Sequence, residues 1–403
     1  MADLLVYFNS KHGQSVESTD LSLFLYPNNQ NYSMPFVEEY RLVDVYGTSP
    51  TGFGTKYSFM LYNNCDIIGD CYIKLVIPAL AGGATNARVC DYIVNAIQTV
   101  DIYIGGIQVT TITSEEIILY YLRNKSSQQI NAFQHLVGGN MSENQRITAA
   151  QGSQTFYIDF VPFWSRTENP SHFLPIRYIA GKNEVRIDVN FKDQTQFLNA
   201  DSGSPTASIT TLQLLTQCYY VTDPQRVAIK DLCLKGYDLK MVDTNQKVLS
   251  QVLLAGSTSY QIKLTNFRSP TSDFYFILRN SSDVTTTYGN HPMVFQPLST
   301  WSLDAAGTTI IKQNIIDSAV NIHIINAQRY LGYDGVLIYG FTWDFDPTAP
   351  DSFMGNLDFT NMVNPILTIN FASNLAVNTN VDVFSEVPNH VFISTDKVYK
   401  LFY

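Results

Sequence analysis

Charged residues are scarce in this chain of 403 residues, where Asp, Glu, Lys and Arg together make up only 15%. An ordinary globular protein has about 25%. The formal net charge is -10, and no run of consecutive Lys or Arg residues stands out. Because a surface that binds nucleic acid needs clustered positive charge to neutralise phosphates, we expect no direct nucleic-acid binding.

Cysteine is rare as well, and its spacing argues against a structural metal site. The cysteines number five and include no Cys-x-x-Cys pair, so a structural zinc site is not expected. Free, buried thiols in a reducing compartment are the better interpretation. The residues concerned are Cys65, Cys71, Cys90, Cys218 and Cys233.

Motifs for catalysis, cofactors and metals are missing. The six histidines are scattered and form no H-E-x-x-H or H-x-H pair. No G-x-S-x-G elbow occurs, and the Gly-rich run Gly47–Gly54 lacks the Lys-Ser/Thr that would hold phosphate and magnesium. We therefore expect no catalytic, cofactor-binding or metal-binding residue, and no enzymatic activity.

Long apolar segments are missing too. No window approaches the roughly 18 consecutive apolar residues that a membrane-spanning helix needs. Residues 1–7 have neither the charged start nor the long apolar core of a signal peptide. We expect no membrane crossing, and the sequons at Asn31, Asn124, Asn140 and Asn280 matter only if the chain meets glycosyltransferases.

Aromatic residues, by contrast, are abundant, with 25 Tyr and 24 Phe. Together with Thr and Val they are typical of β-structure. Short β-rich runs bounded by Gly, Asn, Asp or Pro predict strands in both halves. These runs are Tyr57–Met60, Cys71–Ile77, Val100–Ile104, Phe156–Phe160, Val185–Phe191, Tyr260–Leu264, Phe274–Leu278, Val320–Ile325, Gly335–Tyr339, Ile366–Phe371, Val381–Phe384 and His390–Ser394.

Two local features interrupt or join these runs. Gly105-Gly106 predicts a hairpin turn. The segment Ser114–Asn124 predicts a helix, since Thr113 or Ser114 can cap it and two glutamates favour the positive end of its dipole. Such a helix is expected to close the end of a β-sandwich.

The segment Phe160–Val189 predicts a rigid corner made of strand, loop and strand. Phe160, Phe163 and Trp164 supply large apolar anchors. Pro162, Pro170 and Pro175 disfavour helix in the middle, and residues 185–190 alternate between apolar and polar, as in a half-buried strand. We interpret this segment as architectural rather than as a binding site.

A domain boundary is predicted near Thr222-Asp223-Pro224, where a strand-like run ends at a proline. This divides the chain into an N-terminal arm (1–25), a first half (26–222) and a second half (223–403). Each half is long enough for an eight-stranded sandwich, which favours duplication of one fold.

Two groups of residues leave a carbohydrate-binding or glycoside-cleaving β-sandwich open as an alternative. Asp344 and Asp346 share one face of a strand, and paired carboxylates serve glycoside hydrolysis. A polar strand end that turns at Pro347 is the favoured explanation of this pair. Trp164, Trp301 and Trp343 could form a platform that stacks on sugars, although buried core tryptophan is the commoner case.

A set of segments in fixed order resembles one known family. In the first half these are Phe53-Gly54-Thr55-Lys56, Asn63–Pro78, Val100–Gly106, Phe163-Trp164, Asn169-Pro170 and Leu174-Pro175; in the second half they are Asn266–Pro270 with Phe274–Leu278, Tyr339–Thr342, Pro350, Gly355–Thr360 and Asn364–Thr368. Their order is similar to that in the double jelly-roll major capsid proteins of nucleocytoplasmic large DNA viruses. The resemblance covers most of the chain.

The resemblance implies an all-β fold of two tandem eight-stranded jelly rolls, with short helices in the loops. It implies a structural protein of an icosahedral virion that assembles in the host cytoplasm as homotrimeric, pseudo-hexagonal capsomers. Expected partners are further copies of the chain, neighbouring capsomers, penton and minor capsid proteins, and inner-membrane-associated virion proteins. A minor, vertex or assembly-scaffold protein of the same fold remains an alternative. The connections 136–154 and 281–300 are expected to form outer surface or trimer contacts.

Overall fold

The computed structural model describes residues 36–47, 49–166, 173–179, 184–235, 237–265, 267, 270–281, 298–314, 338–343, 356–360, 362–393 and 398–401. Within these residues, β-strands dominate and helices are short. No helix among them is long and apolar enough to span a bilayer.

The first half is a sandwich of two sheets. Its strands are β1 (Phe36–Asp44), β2 (Lys56–Leu61), β3 (Ile67–Ile77), β4 (Arg88–Val89), β5 (Ile97–Ile104), β6 (Ile107–Thr113), β7 (Gln154–Asp159), β8 (Val185–Phe191), β9 (Leu198–Asn199) and β10 (Thr211–Val221). One antiparallel sheet has the order β1-β10-β3-β7, and the other has the order β2-β8-β5-β6. The short strands β4 and β9 form a separate ribbon.

The second half repeats this arrangement. Its strands are β11 (Tyr237–Leu253), β12 (Ser259–Lys263), β13 (Pro270–Thr271), β14 (Asp273–Asn280), β15 (Thr300–Ala305), β16 (Thr308–Asn314), β17 (Tyr339–Thr342), β18 (Leu357–Asp358), β19 (Ile366–Asn370), β20 (Thr379–Ile393) and β21 (Val398–Leu401). One sheet has the order β11-β20-β14-β17, with β21 paired to β20, and the other has the order β12-β19-β15-β16. The same strand order in both halves confirms two tandem jelly rolls.

Alternating side chains explain how each sheet buries one face. In β3, Cys71, Ile73 and Leu75 have no exposed surface and point into the sandwich, whereas Tyr72 and Lys74 between them are half-buried on the outer face. The strands of both sheets contribute to one apolar core in each sandwich. The fold is therefore a pair of face-to-face sheets, twice over.

In the described part of the chain, five α-helices lie in the connections between strands: α1 (Ser114–Asn124), α2 (Ser127–Val137), α3 (Glu143–Ala149), α4 (Ile176–Ile179) and α5 (Asp223–Lys235). The predicted helix has the bounds of α1. Its start is a capping box, in which the backbone N–H of Glu116 donates to Thr113 Oγ1 (3.3 Å) and that of Thr113 donates to Glu116 Oε2 (2.6 Å). The predicted hairpin at Gly105-Gly106 is also confirmed, since it joins β5 to β6 with positive φ at both glycines.

The connection 136–154, expected to form outer surface or trimer contacts, is partly helical. The segment contains the end of α2 and all of α3, and each helix begins with its own Ser-x-x-Gln capping box, at Ser126 and Ser142. An ion pair from Arg88 Nη2 to Glu143 Oε1 (2.5 Å) fastens α3 to the β4–β9 ribbon. Capping and ion pairing thus order a segment whose Gly and Asn content favoured a loop.

The corner at Phe160–Val189 connects the two sheets and contains one helical turn that the prolines were expected to disfavour. Its strands β7 and β8 do not pair with each other but belong to the two opposite sheets, so the corner carries the chain across the sandwich. A single helical turn, α4, follows Pro175, because a proline at the start of a helix removes no helical hydrogen bond.

One further correction concerns the last strands. Val381–Phe384 and His390–Ser394 were predicted as separate, but β20 runs unbroken through Pro388. One edge of β20 pairs with two strands in turn: with β14 as far as Glu386, and with β21 from His390 onwards. Pro388 lies in the gap between these two pairings, where a residue without an N–H is tolerated. The prediction for Val320–Ile325 lies outside the described residues. For Gly335–Tyr339, β17 begins only at the final residue.

Gly340 gives a direct test of this packing. It pairs with Tyr275, and a Cβ there would lie 2.4 Å from the carbonyl oxygen of Phe274 and 2.7 Å from Cβ of Tyr275. Gly340→Ala should therefore force β17 away from β14 and lower the free energy of unfolding by about 1–3 kcal/mol. Gly52→Ala is the matched control, since its Cβ would meet nothing within 4 Å. Equal urea midpoints for both variants would contradict the register of β17.

Candidate functional site

The tryptophans do not form a sugar-stacking platform. Trp164 and Trp301 have no exposed surface and belong to the cores of different sandwiches. Trp343 is partly buried against the second core, with its ring 5.5 Å from that of Phe341. Asp344 and Asp346 lie outside the described residues.

The other candidate ligands do not converge either. Of the six histidines, His135 is the one whose side chain the structure describes, and it is exposed on α2 beside Asn140. No group of three or more His, Cys, Asp or Glu side chains suited to a metal occurs among the described residues. All five cysteines are free and buried, as expected. Among the sequon asparagines, Asn140 is exposed and Asn280 is half-buried, whereas Asn31 lies outside the described residues.

The corner after β7 is held by buried hydrogen bonds. Trp164 Nε1 donates to the carbonyl oxygen of Gly69 (2.8 Å), and Tyr120 Oη donates to the carbonyl oxygen of Arg166 (2.6 Å). Val161 has a φ of 49°, and its N–H donates to Asp159 Oδ1 (2.8 Å). These bonds support the interpretation of the corner as architecture.

The two sandwiches share a buried interface. In β14, Phe274, Phe276 and Leu278 point into the second core. Tyr275 and Ile277 point the other way and join the core cluster of the first sandwich. The sheet β11-β20-β14-β17 is therefore buried on both faces. We call its outer side, formed by Tyr275, Ile277, Arg279, Asp382 and Phe384, the covered face.

A charged network lies on the covered face. Arg279 is 2% exposed and pairs with Asp382, which has no exposed surface. Arg279 Nη2 also lies 3.1 Å from Oε1 of Glu115, which comes from α1 in the first sandwich. Ser250 Oγ donates to Asp382 Oδ1 (2.7 Å). The network thus joins the two sandwiches through a buried arginine.

The electrostatics of this network keep Arg279 charged. Burial disfavours the guanidinium charge, but Glu115 and Asp382 outweigh it and raise the pKa of Arg279 above its ordinary value. Sequence reasoning missed these three residues. A signal was present, because Arg279 follows the apolar run Phe274–Leu278 and Asp382 stands between two valines.

A second link fastens α4 and α5 to the first sandwich. Asp66 is fully buried and accepts from Arg177 Nη1 (2.9 Å), Arg226 Nε (3.0 Å) and the backbone N–H of Val221 (2.9 Å). Because α5 directly precedes β11, Asp66 helps to set where the second half begins.

Asp159 belongs to a group of ionisable side chains on the outer side of β3 and β7. Tyr121 Oη donates to its Oδ2 (2.6 Å). Burial, and next the charge of Asp70, raise the pKa of Asp159 to about 6, although hydrogen bonds from Tyr121 and Val161 and the charge of Lys125 oppose the shift. Burial also lowers the pKa of Lys125.

Comparison with protein families gives a match over the first half of the chain. Residues 26–223 match the family model described as "Major capsid protein N-terminus". A search of curated protein sequences finds no match for the chain.

Solved structures of capsid proteins share the fold of the whole chain. VP54 of PBCV-1 superposes with a TM-score of 0.72 at 15% identity, covering 93% of this chain and 98% of that one. The Faustovirus major capsid protein gives 0.67 at 11% identity, covering 98% and 97%. The mavirus major capsid protein gives 0.58 at 9% identity, covering 96% and 95%. At such identities the likeness shows the fold, and its coverage shows that the fold extends through both halves.

Because Arg279 is central to the buried network, truncating its side chain should strongly reduce the stability of the fold. Arg279→Ala leaves the buried carboxylate of Asp382 without its main counter-charge and should lower the free energy of unfolding by about 3–5 kcal/mol. Replacing both partners, as in Arg279→Met with Asp382→Leu, should recover much of that loss. Urea unfolding measures both variants.

Arg41→Ala is the control, because its pair with Glu39 is exposed on both sides. It should leave the urea midpoint unchanged. The account of the network is wrong if Arg279→Ala unfolds at the wild-type midpoint, or if the double variant is less stable than Arg279→Ala.

Asp159 predicts a pH dependence with a definite sign. Its folded-state pKa of about 6 lies above the unfolded value of about 3.9, so the folded chain takes up the proton first as the pH falls. Stability from this group should rise by about 1–2 kcal/mol from pH 7.5 to 4.5. The difference in unfolding free energy between wild type and Asp159→Asn isolates this contribution.

Asp193 supplies a control of opposite sign. Hydrogen bonds from the side chain and then the backbone of Thr195 lower the pKa of Asp193. The stability that Asp193 contributes should therefore decrease as the pH is lowered. Two results would contradict the placement of Asp159. The difference in unfolding free energy between wild type and Asp159→Asn could stay constant as the pH changes, or it could change in the same direction as the difference for Asp193→Asn.

Proposed function

We propose that this chain, a double jelly-roll protein of the major capsid protein family, builds homotrimeric capsomers in the icosahedral shell of a large double-stranded DNA virus. The observation that carries the proposal is the match of residues 26–223 to the family, on a fold that is duplicated within the chain. Two similar sandwiches in each chain give six in a trimer, which suits a pseudo-hexagonal tile.

The physical chemistry of the chain supports this proposal. A closed three-fold ring satisfies head-to-tail interfaces without open-ended polymerisation. Low charge and abundant aromatic residues suit a protein whose surface is buried against copies of itself. The buried network at Arg279 supports rigid placement of the two sandwiches within each tile.

The partners and location follow from this role. We propose that the chain binds further copies of itself, neighbouring capsomers, penton and minor capsid proteins, and inner-membrane-associated virion proteins. Assembly takes place in the host cytoplasm. The role is structural and needs no catalytic residue, cofactor or direct contact with nucleic acid, in keeping with the net charge of -10.

The domain division is part of the proposal. We assign 1–25 to an N-terminal arm, 26–222 to the first jelly roll and 223–403 to the second. The end of β10 at Val221 and the start of α5 at Asp223 support the inner limit. Residues 1–25 lie outside the described part of the chain.

The oligomeric state tests the proposed function. Light scattering coupled to size-exclusion chromatography should give a mass about three times that of the 45.4 kDa chain, and concentrated protein should form hexagonal arrays under the electron microscope. A monomer at micromolar concentration would contradict the proposal. Binding on a glycan array would favour the carbohydrate-binding alternative, and absence of the protein from mature virions would favour an assembly scaffold.

A further inference from the structure

Three of the five cysteines lie close together in the first sandwich. Cys71 faces the core from β3 and pairs with Thr216 of β10. Thr216 Oγ1 in turn lies 3.5 Å from Cys218 Sγ. Cys65 comes from the connection between β2 and β3. All three thiols belong to one apolar core, and none of the three residues is more than 3% exposed.

The backbone brings Cys65 to Cys218. The residues that follow these two cysteines share a backbone hydrogen bond, from the N–H of Asp66 to the carbonyl oxygen of Tyr219 (3.0 Å). Cys65 Sγ lies 3.4 Å from the carbonyl oxygen of Ile67, so its side chain turns towards β3. There the thiols of Cys65 and Cys218 form a hydrogen bond with each other. The fold thus places two buried thiols in contact, although they are far apart in the sequence.

The surroundings make the two thiols unequal. The hydrogen bond from Cys65 lowers the pKa of Cys218 to about 7 against the effect of burial, with further help from Thr216 and the charge of Arg41. The charge of Glu39 has the opposite, smaller effect. The same hydrogen bond, and next burial, raise the pKa of Cys65. Cys218 is therefore the thiol that ionises near neutral pH, and the thiolate is the reactive form of a cysteine.

Only one layer of side chains separates Cys218 from solvent. In the described part of the chain, β1 is an edge strand, and it places Glu39 opposite Cys218. The side chains of Arg41 and Glu39 are 40% and 49% exposed. Both contact Tyr220, whose Oη donates to Glu39 Oε2 (3.2 Å). Because exposed polar contacts of this kind are weak, a small oxidant can reach Cys218 without unpacking the core.

We propose that Cys65 and Cys218 are a redox-active pair, which a peroxide converts into a disulfide within the folded chain. The thiolate of Cys218 attacks one oxygen of hydrogen peroxide, the O–O bond breaks, and the departing hydroxide takes up the thiol proton as water. Cys218 is then a sulfenic acid. The sulfur of Cys65 attacks that of Cys218, and the proton of Cys65 leaves with the hydroxyl group as a second water. Two thiols lose two electrons, and the peroxide is reduced to two waters.

The disulfide would fasten the start of β3 to β10. It would close a long loop of the chain and so restrict the unfolded state. Asp66, which holds α4 and α5, directly follows Cys65. Oxidation would therefore stiffen the segment that sets where the second half begins. In a reducing compartment the pair stays as two thiols.

Peptide mapping of the purified full-length protein tests the pair. Hydrogen peroxide is added in slight excess at neutral pH, and the remaining thiols are then alkylated in denaturant. The expected product has lost two hydrogen atoms, contains a disulfide between Cys65 and Cys218, and carries the alkyl label on Cys71, Cys90 and Cys233. Oxidation should raise the melting temperature by about 5 °C, and dithiothreitol should reverse the change. Alkylation of all five cysteines, or a disulfide through Cys71, would overturn the inference.

Single variants test the order of the two steps. Cys65→Ala should leave Cys218 as a sulfenic acid that dimedone traps, whereas Cys218→Ala should react with peroxide about tenfold more slowly or not at all. Cys233→Ala is the matched control, because Cys233 is also buried, at 2% exposure, and lies on α5. It should form the disulfide at the wild-type rate.

Three further results would also contradict the pair. They are a wild-type rate for Cys218→Ala, a folded Cys65→Ala that gives no dimedone adduct, and a wild-type protein that oxidises only in urea that unfolds it. If a variant fails to fold, the map of the wild-type disulfide decides the question by itself.

Discussion

The buried ion pairs of Arg279 with Asp382 and with Glu115 are the constraint on which the arrangement of the two jelly rolls depends. Arg279 and Asp382 are buried on the outer side of a sheet, where a charge is tolerable only if partners replace water. Ser250 provides one partner from the same sheet, and Glu115 provides the other from the opposite sandwich. Apolar contacts around Tyr275 are non-directional and would allow the sandwiches to slide. Arg279 can contact Glu115 only when the two sandwiches are correctly placed, and this fixes their relative position.

This requirement reaches into the first sandwich through α1. Glu115 lies in the first turn of α1, which Thr113 caps. Further along the same helix, Tyr120 bonds to the corner at Arg166 and Tyr121 bonds to Asp159 at the end of β7. The corner, the helix and the covered face are thus one connected unit. A sheet buried on both faces also accounts for the composition, because such strands need apolar residues at successive positions rather than at every second one.

Capping motifs and the alternation of apolar and polar residues were enough to predict individual helices and strands. The bounds of α1 follow from a capping box, and those of β8 follow from strict alternation over Val185–Phe191. The single strand β20 was missed because Pro388 breaks a strand by local rules, whereas the gap between two neighbouring ladders accommodates it. Arg279 and Asp382 are 103 residues apart, so no local pattern pairs them. The interior of both apolar cores was foreseeable from periodicity, but the interface between them arises only when the sandwiches meet.

The central claim is that a buried arginine fixes how the two jelly rolls of one chain pack together. A high-resolution structure of the purified protein tests this most directly. The account predicts that Arg279 contacts both Asp382 and Glu115 and that Tyr275 and Ile277 are buried between the sandwiches. A structure in which Glu115 lies away from Arg279, or in which Tyr275 faces solvent, would contradict it.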